Sequence, residues 1–191
     1  MLFRSPVTHY ELANDDAGFY VEFLTPLIGS GRKRDGTLDA TVAVAGVTAQ
    51  KLRFLEILFI DAWVIRIGPD NGFPLPGSVD LQVANPVSFI VQKLLIQQDR
   101  KPAKRAQDVL YIHDTLELFA GALPGLNESW ERKIRPNLHE RTAREVIALS
   151  ASTFSSVTDT LRTAAQMAPG RQLSPERLQG LCHGALREVI S

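Results

Sequence analysis

The pattern of apolar residues changes near residue 85, and this change constrains the fold more than any other feature of the chain. Before it, short apolar runs are separated by clusters of Gly, Asn and Asp, which is typical of strands and turns. After it, apolar residues recur at the spacing of amphipathic helices. We therefore predict an α+β chain, with a small sheet region over residues 1–84 and a helical bundle over residues 85–191 packed on it.

The first region carries several strand signals. Two runs flank a segment rich in turn-forming residues and predict a β-hairpin, with strands at 7–12 and 19–24 and the turn at 14–18. Further strands are predicted at 42–47, 63–67 and 79–83, the second of them buried with Trp63 in the core. Near-helical spacing of apolar residues predicts a short helix over 49–60.

The second region opens with Asn85-Pro86, a pair typical of the N-cap and first position of a helix. The helix is predicted to reach about Arg100 and to bury Val87, Ile90, Val91, Leu94 and Leu95. A break at Pro102 and another at Pro124-Gly125 bound a second helix over 103–120. Two more helices are predicted, at 137–167 with a kink or split near 150–158, and at 175–190.

Composition excludes several classes of protein. The 191 residues contain 21 Lys and Arg against 21 Asp and Glu, which argues against binding nucleic acid through bulk charge. One cysteine, Cys182, excludes an internal disulfide framework and a cysteine-rich zinc site. No apolar run reaches the length of a membrane span, and no signal peptide is apparent, so we expect no membrane association and a cytoplasmic location.

Three separated segments carry a resemblance to a known family. They are FYVEFLTP at 19–26, GVTAQKLRFL at 46–55 and NPVSFIVQKL at 85–94, followed by Arg100, Lys104 and Asp108. In this order they resemble a bacterial family of nucleotidyltransferase-fold proteins and, more distantly, the abortive-infection nucleotidyltransferase toxins. The resemblance covers residues 5–125. It implies a small mixed sheet of the polymerase-β nucleotidyltransferase type and transfer of a nucleotidyl group from a nucleoside triphosphate with Mg²⁺.

The resemblance also implies site residues. Glu22 matches a metal-binding carboxylate, and Lys93 matches a lysine able to reach a phosphate as a point charge. Arg100 and Lys104 match basic, nucleotide-binding positions. Asp108 matches an acid that orients Lys93 or positions a nucleotide. Structural alternatives stay open: Glu22 as a solvent-facing strand residue, Lys93 as a surface lysine, and Lys104 with Asp108 as an i,i+4 surface pair.

The chain departs from the family in one respect. The family's Gly-Ser turn and its pair of acids precede the hairpin, and this sequence shows no such pattern there. Gly29-Ser30 followed by Asp39 resembles this motif, but it comes after the Glu22 strand instead of before it. Thr41 stands at the position of the second acid. We therefore expect this chain to be either part of a longer protein or a short form of the family that lacks the metal-binding pair of acids.

Three hypotheses about function follow. The first is a nucleotidyltransferase that needs a missing segment or partner and acts on RNA, a protein hydroxyl or a small molecule. The second is a non-catalytic relic that binds a nucleotide or a partner. The third is a helical interaction module that forms a homo-oligomer through its C-terminal leucines, namely Leu161, Leu173, Leu178, Leu181 and Leu186.

Overall fold

A computed structural model describes residues 7–11, 20–168 and 170–190. The chain divides into two compact units, Met1–Glu56 and Ile57–Ser191. The predicted α+β class is confirmed, because small sheets of two or three strands are followed by helices to the C-terminus. The change from strands to helices comes at residues 84–85, within the second unit.

The first unit contains the predicted β-hairpin. Strand β1, His9–Glu11, pairs antiparallel with β2, Tyr20–Glu22, and His9 lies opposite Glu22. The pairing confirms the prediction, while the turn at 14–18 lies outside the described residues.

A separate three-stranded mixed sheet completes the first unit. Strand β3, Leu24–Pro26, runs parallel to β5, Val47–Leu52, which also pairs antiparallel with β4, Thr41–Val44. Ala45 and Gly46 connect β4 to β5 with positive φ angles of 50° and 82°, the geometry of a tight two-residue hairpin turn.

This sheet corrects the predicted helix over 49–60. Residues 49–52 belong to β5, and only a 3-10 helix at Leu55–Phe59 is helical. The turn at Gly46 returns the chain against β4, so that β5 forms backbone hydrogen bonds with two neighbouring strands. Those bonds satisfy the backbone of β5 in an extended conformation, and they outweigh a helical spacing of only a few apolar side chains.

The second unit begins with a two-stranded antiparallel sheet. Strand β6, Trp63–Ile67, pairs with β7, Val79–Val83, and Trp63 lies opposite Val83. Both strands were predicted, but the prediction that β6 is buried with Trp63 in the core is wrong. Nearly every residue of both strands is exposed, and Trp63 retains 41% of its accessible surface. A two-stranded sheet consists of two edge strands and has no central strand flanked on both sides. Each strand therefore keeps one edge open to solvent, which explains this exposure.

Six α-helices follow β7 in the described part of the chain. They are α1 Pro86–Ile96, α2 Pro102–Leu118, α3 Leu123–Ser129, α4 Glu140–Thr153, α5 Asp159–Gln166 and α6 Pro175–Val189. Oδ1 of Asn85 caps α1 by accepting hydrogen bonds from the backbone N–H groups of Val87 and Ser88 at 2.8 and 3.0 Å. The predicted start of α1 and the split between α4 and α5 are confirmed.

The predicted break at Pro124-Gly125 is wrong. Both residues lie in the first turn of α3, which then continues into a π-helical turn at Trp130–Ile134. Proline is tolerated in a first turn because its missing N–H group would have no partner within the helix. The chain therefore resumes a helix at this proline.

The core of the second unit lies among the helices. Helix α2 packs against α1, α5 and α6, and α1 packs against α4. The predicted apolar face of α1 is buried, with Leu94 fully inaccessible. Leu161, Leu178 and Leu186 are buried in this core as well, so they are not available for the oligomer interface of the third hypothesis. No described helix is long and apolar enough to cross a membrane.

Candidate functional site

Three of the predicted site residues meet where α1 and α2 come together. Nζ of Lys93, in the last turn of α1, lies 3.0 Å from Oδ1 of Asp108 on α2. Nε of Arg100, between the two helices, lies 3.3 Å from Oδ2 of Asp108. The Asp108 side chain is 5% exposed, whereas those of Lys93 and Arg100 are 13% and 26% exposed. Two partly accessible cations therefore share one buried carboxylate.

The connection between the helices places Arg100 in this cluster. After α1 the chain forms a 3-10 turn at Gln97–Asp99, and Arg100 is extended before α2 begins. Arg105 braces this turn, because its Nε donates to the carbonyl of Gln97 at 3.1 Å and its Nη2 donates to that of Arg100 at 3.4 Å. The short connection lets the second helix return beside the first, which brings Asp108 to Lys93.

Two aromatic rings lie beside the ammonium group of Lys93. Nζ is 5.2 Å from the ring centroid of Phe89 and 5.5 Å from that of Tyr111. Both distances are within the range of cation–π attraction. Asp108 and these two rings thus hold the ammonium group in place from two neighbouring helices.

The cluster has unused hydrogen-bonding capacity. Nε2 of Gln97, Nε of Arg100 and Oδ2 of Asp108 are buried and have no hydrogen-bond partner in the described structure. The contact between Arg100 and Asp108 is therefore an ion pair in which the Nε–H group of Arg100 does not have the geometry of a hydrogen bond. Buried polar groups are nearly always paired, and Nε of Arg100 is compensated by its ion pair with Oδ2 of Asp108, so Nε2 of Gln97 is the donor of this cluster that has neither kind of partner among the described residues. The excess of one positive charge favours an anion.

The structure separates the two remaining predicted residues from this cluster. Lys104 is exposed in the first turn of α2, and its Nζ donates to Oε1 of Gln107 at 3.0 Å. The alternative surface pair of Lys104 with Asp108 does not form, because Asp108 faces Lys93 and Arg100. Glu22 is exposed at the end of β2 in the first unit. The roles of Glu22 and Lys104 stay predictions.

The Gly29-Ser30 mimic does not form an acidic site. Oδ2 of Asp39 accepts a hydrogen bond from Nζ of Lys51 at 2.7 Å, and Thr41 begins β4. A carboxylate engaged by a lysine is a poor metal ligand, because binding a cation there would have to displace the ammonium group.

Sequence reasoning missed one cluster, formed by His113, Asp114 and Glu117 on α2. Their ligand atoms lie within 4.8 Å of one another, as a metal site requires. Arg171 donates two hydrogen bonds to Asp114, at 2.8 and 2.7 Å, and lies 3.8 Å from Glu117. Arg177 lies 3.6 Å from the same glutamate. Two guanidinium groups thus neutralise both carboxylates.

This cluster therefore does not fit a divalent cation in the described conformation, and we interpret it as an ion-pair network that joins α2 to α6 and to the segment before α6. Hydrogen bonds from Arg171 lower the pKa of Asp114, which agrees with that interpretation. The sequence signal was helical spacing, since His113 lies four residues and Asp114 three residues before Glu117 on α2. The arginines come from a distant part of the chain, so spacing alone could not reveal them.

Comparison with known proteins identifies the family. A family model described as Nucleotidyltransferase matches residues 3–135. The match covers more than half of the chain, so the chain belongs to this nucleotidyltransferase family. Such membership supports nucleotidyl transfer in general, and proteins of this kind generally use divalent metals. No curated protein and no solved structure matches the chain.

The match confirms the resemblance found in the sequence. It includes all five predicted site residues and ends at the close of the π-helical turn, so that helices α4–α6 lie outside it. The bacterial origin, the relation to abortive-infection toxins and the missing N-terminal segment stay predictions.

Proposed function

We propose that the chain binds a nucleoside triphosphate at the Lys93–Arg100–Asp108 cluster and transfers its nucleotidyl group to a hydroxyl acceptor. The cluster itself carries this proposal: two partly exposed cations share one buried carboxylate within the part of the chain that matches the family. The excess positive charge of the two cations over the one carboxylate favours a phosphate group as a further partner.

Each residue then has a distinct role. Lys93 presents a compact positive charge to the phosphates, where negative charge grows during phosphoryl chemistry. Asp108 is a positioning residue, because its carboxylate is buried and holds the ammonium group of Lys93. Arg100 adds a second cation, and the exposed Lys104 attracts the charged nucleotide toward the site.

In the proposed reaction, the acceptor oxygen attacks the α-phosphorus and releases pyrophosphate, while the hydroxyl proton passes to solvent. The acceptor is a hydroxyl of RNA, of a protein or of a small molecule. We propose Mg²⁺ as the cation that accompanies the triphosphate, following the family resemblance. The same resemblance alone makes Glu22, in the first unit, a predicted metal ligand. Mg²⁺ is commonly held by one or two carboxylates together with substrate phosphates.

A second candidate is nucleotide binding without turnover. The residues that the structure describes contain one group of three side chains with metal-ligating atoms close together, and two arginines engage its carboxylates. This observation favours a phosphate-binding cluster that has no free metal-binding pair among the described residues.

The test is calorimetric titration with ATP, GTP, CTP and UTP, each in Mg²⁺ and again in EDTA, followed by assay of pyrophosphate release. We expect binding that Lys93→Met weakens at least tenfold. Lys133→Met, which changes an exposed lysine far along the same unit, is the matched control. Equal affinity of the wild type and Lys93→Met would refute the site. Binding without pyrophosphate release, with RNA and protein acceptors present, would favour the second candidate.

A further inference from the structure

A surface cavity of about 350 Å³ adjoins the Lys93 cluster within the second unit. Strands β6 and β7 form one side of it, and the start of α1 and the end of α2 form the other. Its volume is within the range of small-molecule sites. Most of the lining is apolar and comes from Trp63, Ile65, Val83, Pro86, Phe89 and Phe119.

Aromatic rings dominate one end of this cavity. Trp63 and Phe119 meet edge to face, with ring centroids 5.8 Å apart and an interplanar angle of 71°. Trp63 remains 41% exposed, so part of the indole is available to a ligand. Exposed aromatic surface of this kind supports stacking of a flat heterocycle.

Phe89 joins the cavity to the cation cluster. Its ring lines the cavity and also lies 5.2 Å from Nζ of Lys93. Pro86, Phe89 and Lys93 follow each other at intervals of three and four residues, which places them along one face of α1. At 1.5 Å per residue, the distance along the helix from Pro86 to Lys93 is about 10 Å. An apolar pocket and a cationic cluster therefore lie in line on one helix.

We propose that this cavity binds the nucleobase of the nucleoside triphosphate whose phosphates bind at Lys93 and Arg100. The inference rests on the proposed function and adds a subsite to it. Charge decides the orientation of the ligand: the uncharged aromatic end accepts the base, and the end with one excess positive charge accepts the phosphates. The ribose then lies across Phe89.

The lining also determines which bases bind well. Its polar side-chain groups are the hydroxyl of Thr115, which already donates to the carbonyl of Tyr111 at 2.8 Å, and the indole N–H of Trp63. Such a pocket distinguishes bases by the size of the ring that stacks in it more than by the hydrogen-bonding groups on the edge of the base. We therefore expect ATP and GTP to bind with similar affinity, and both to bind more tightly than CTP and UTP.

Trp63 provides a direct signal for occupancy. Of the two tryptophans, Trp130 is fully buried and Trp63 is partly exposed. Titration of the full chain with ATP should therefore quench tryptophan emission through Trp63, and Trp63→Phe should abolish the change. The titration of the wild type needs no substitution, and adenosine alone tests the base subsite without phosphates.

Affinity measurements on variants separate the two parts of the site. We expect Phe119→Ala to weaken ATP binding on the order of tenfold, as is usual when an aromatic stacking partner of a base is removed. Inorganic tripolyphosphate should bind Phe119→Ala as it binds the wild type. Phe73→Ala, which removes an exposed aromatic ring that lines neither part of the site, should leave both affinities unchanged. Circular dichroism confirms that each variant is folded.

The possible failures are distinguishable. If wild type and folded Phe119→Ala bind ATP equally, and ATP does not quench Trp63, the base subsite is refuted while the phosphate site stands. If adenosine quenches Trp63 but tripolyphosphate does not bind, the base subsite is supported and the phosphate role of Lys93 fails. If neither ATP nor adenosine binds the wild type, the base subsite is refuted.

Discussion

Nζ of Lys93 lies 3.0 Å from Oδ1 of Asp108, and this contact joins the last turn of α1 to the second turn of α2. The carboxylate is almost completely buried, so its negative charge is compensated by Lys93 and Arg100 instead of by water. The pair therefore contributes both to the packing of two helices and to the position of a cation at the surface.

We predict that Asp108→Asn costs about 3 kcal/mol or less of unfolding free energy, because removing one member of a buried pair leaves the other charge uncompensated. Partial exposure of Lys93 and Arg100 keeps the loss at the lower end of the range for such pairs. Lys93→Met should cost less, since Asp108 keeps Arg100 and the methionine still packs on Phe89. Urea titration of both variants measures which of them loses more unfolding free energy.

The double variant completes a thermodynamic cycle. The double variant of Lys93→Met and Asp108→Asn is expected to lose less unfolding free energy than the sum of the two single losses, because either change alone already breaks the contact. Additive losses would show that the two side chains do not interact in solution.

Leu94→Ala should destabilise the protein by about 2–5 kcal/mol, the range for a buried leucine replaced by alanine. Leu94 is fully inaccessible on the inner face of α1. The matched control is Leu118→Ala at the end of α2, where the leucine is 77% exposed and the expected change is about 0.5 kcal/mol or less. Denaturant unfolding of both variants tests whether the inner face of α1 is correctly assigned.

The pair of Asp114 and Arg171 should make stability depend on pH in the acidic range. Hydrogen bonds from Arg171 lower the pKa of Asp114 in the folded protein below its ordinary value of 3.8. The stabilisation is therefore complete above pH 3.8 and is lost as the pH falls through the folded pKa of Asp114. Arg171→Gln should be less stable than the wild type at neutral pH, and the two should converge in acid.

Thermal unfolding from pH 7 down to pH 2.5 measures this convergence. Arg162→Gln removes an exposed guanidinium that pairs with Asp159 on the surface of α5, so it controls for the loss of a surface charge. A constant difference between wild type and Arg171→Gln across the range would contradict the prediction.

Cys182 should be unreactive while the protein is folded. It is the only cysteine, it is buried on α6, and burial raises the pKa of its thiol well above the ordinary value. The reactive thiolate is therefore scarce, and reagents cannot reach the sulfur. A disulfide exchange reagent should modify Cys182 only as fast as the helices open, and at once in denaturant. Rapid modification of the folded protein would show that α6 detaches readily.

Glu22→Gln tests the predicted metal ligand. We expect it to lower the affinity for ATP in Mg²⁺ about tenfold and to leave the affinity in EDTA unchanged, because the amide loses the negative charge that attracts Mg²⁺. Its stability should stay within about 0.5 kcal/mol of the wild type, since the side chain is exposed. Glu56→Gln is the control at another exposed glutamate, and calorimetry in both buffers measures the effect.

Local sequence signals correctly predicted the elements that are specified by residues close to one another along the chain. The Asn85-Pro86 start of α1 needed only an N-cap and a residue with a fixed φ angle, and the inner face of α1 followed from helical spacing. Similarity to the family, not spacing, selected Lys93, Arg100 and Asp108 as site residues. The predicted helix over 49–60 was wrong because β5 forms its hydrogen bonds with strands that no local window includes.

Tertiary structure decided the partners of each charged residue. Spacing allowed Asp108 to pair with Lys104 on its own helix, but the fold turns Asp108 to Lys93 and Arg100, where burial strengthens the ion pairs. The same holds for Arg171 and Asp114, and for Trp63, which lines a cavity instead of filling the core. Sequence specifies backbone conformation through neighbours along the chain, whereas charge pairing and cavities depend on residues brought together by folding, and so only the folded chain reveals them.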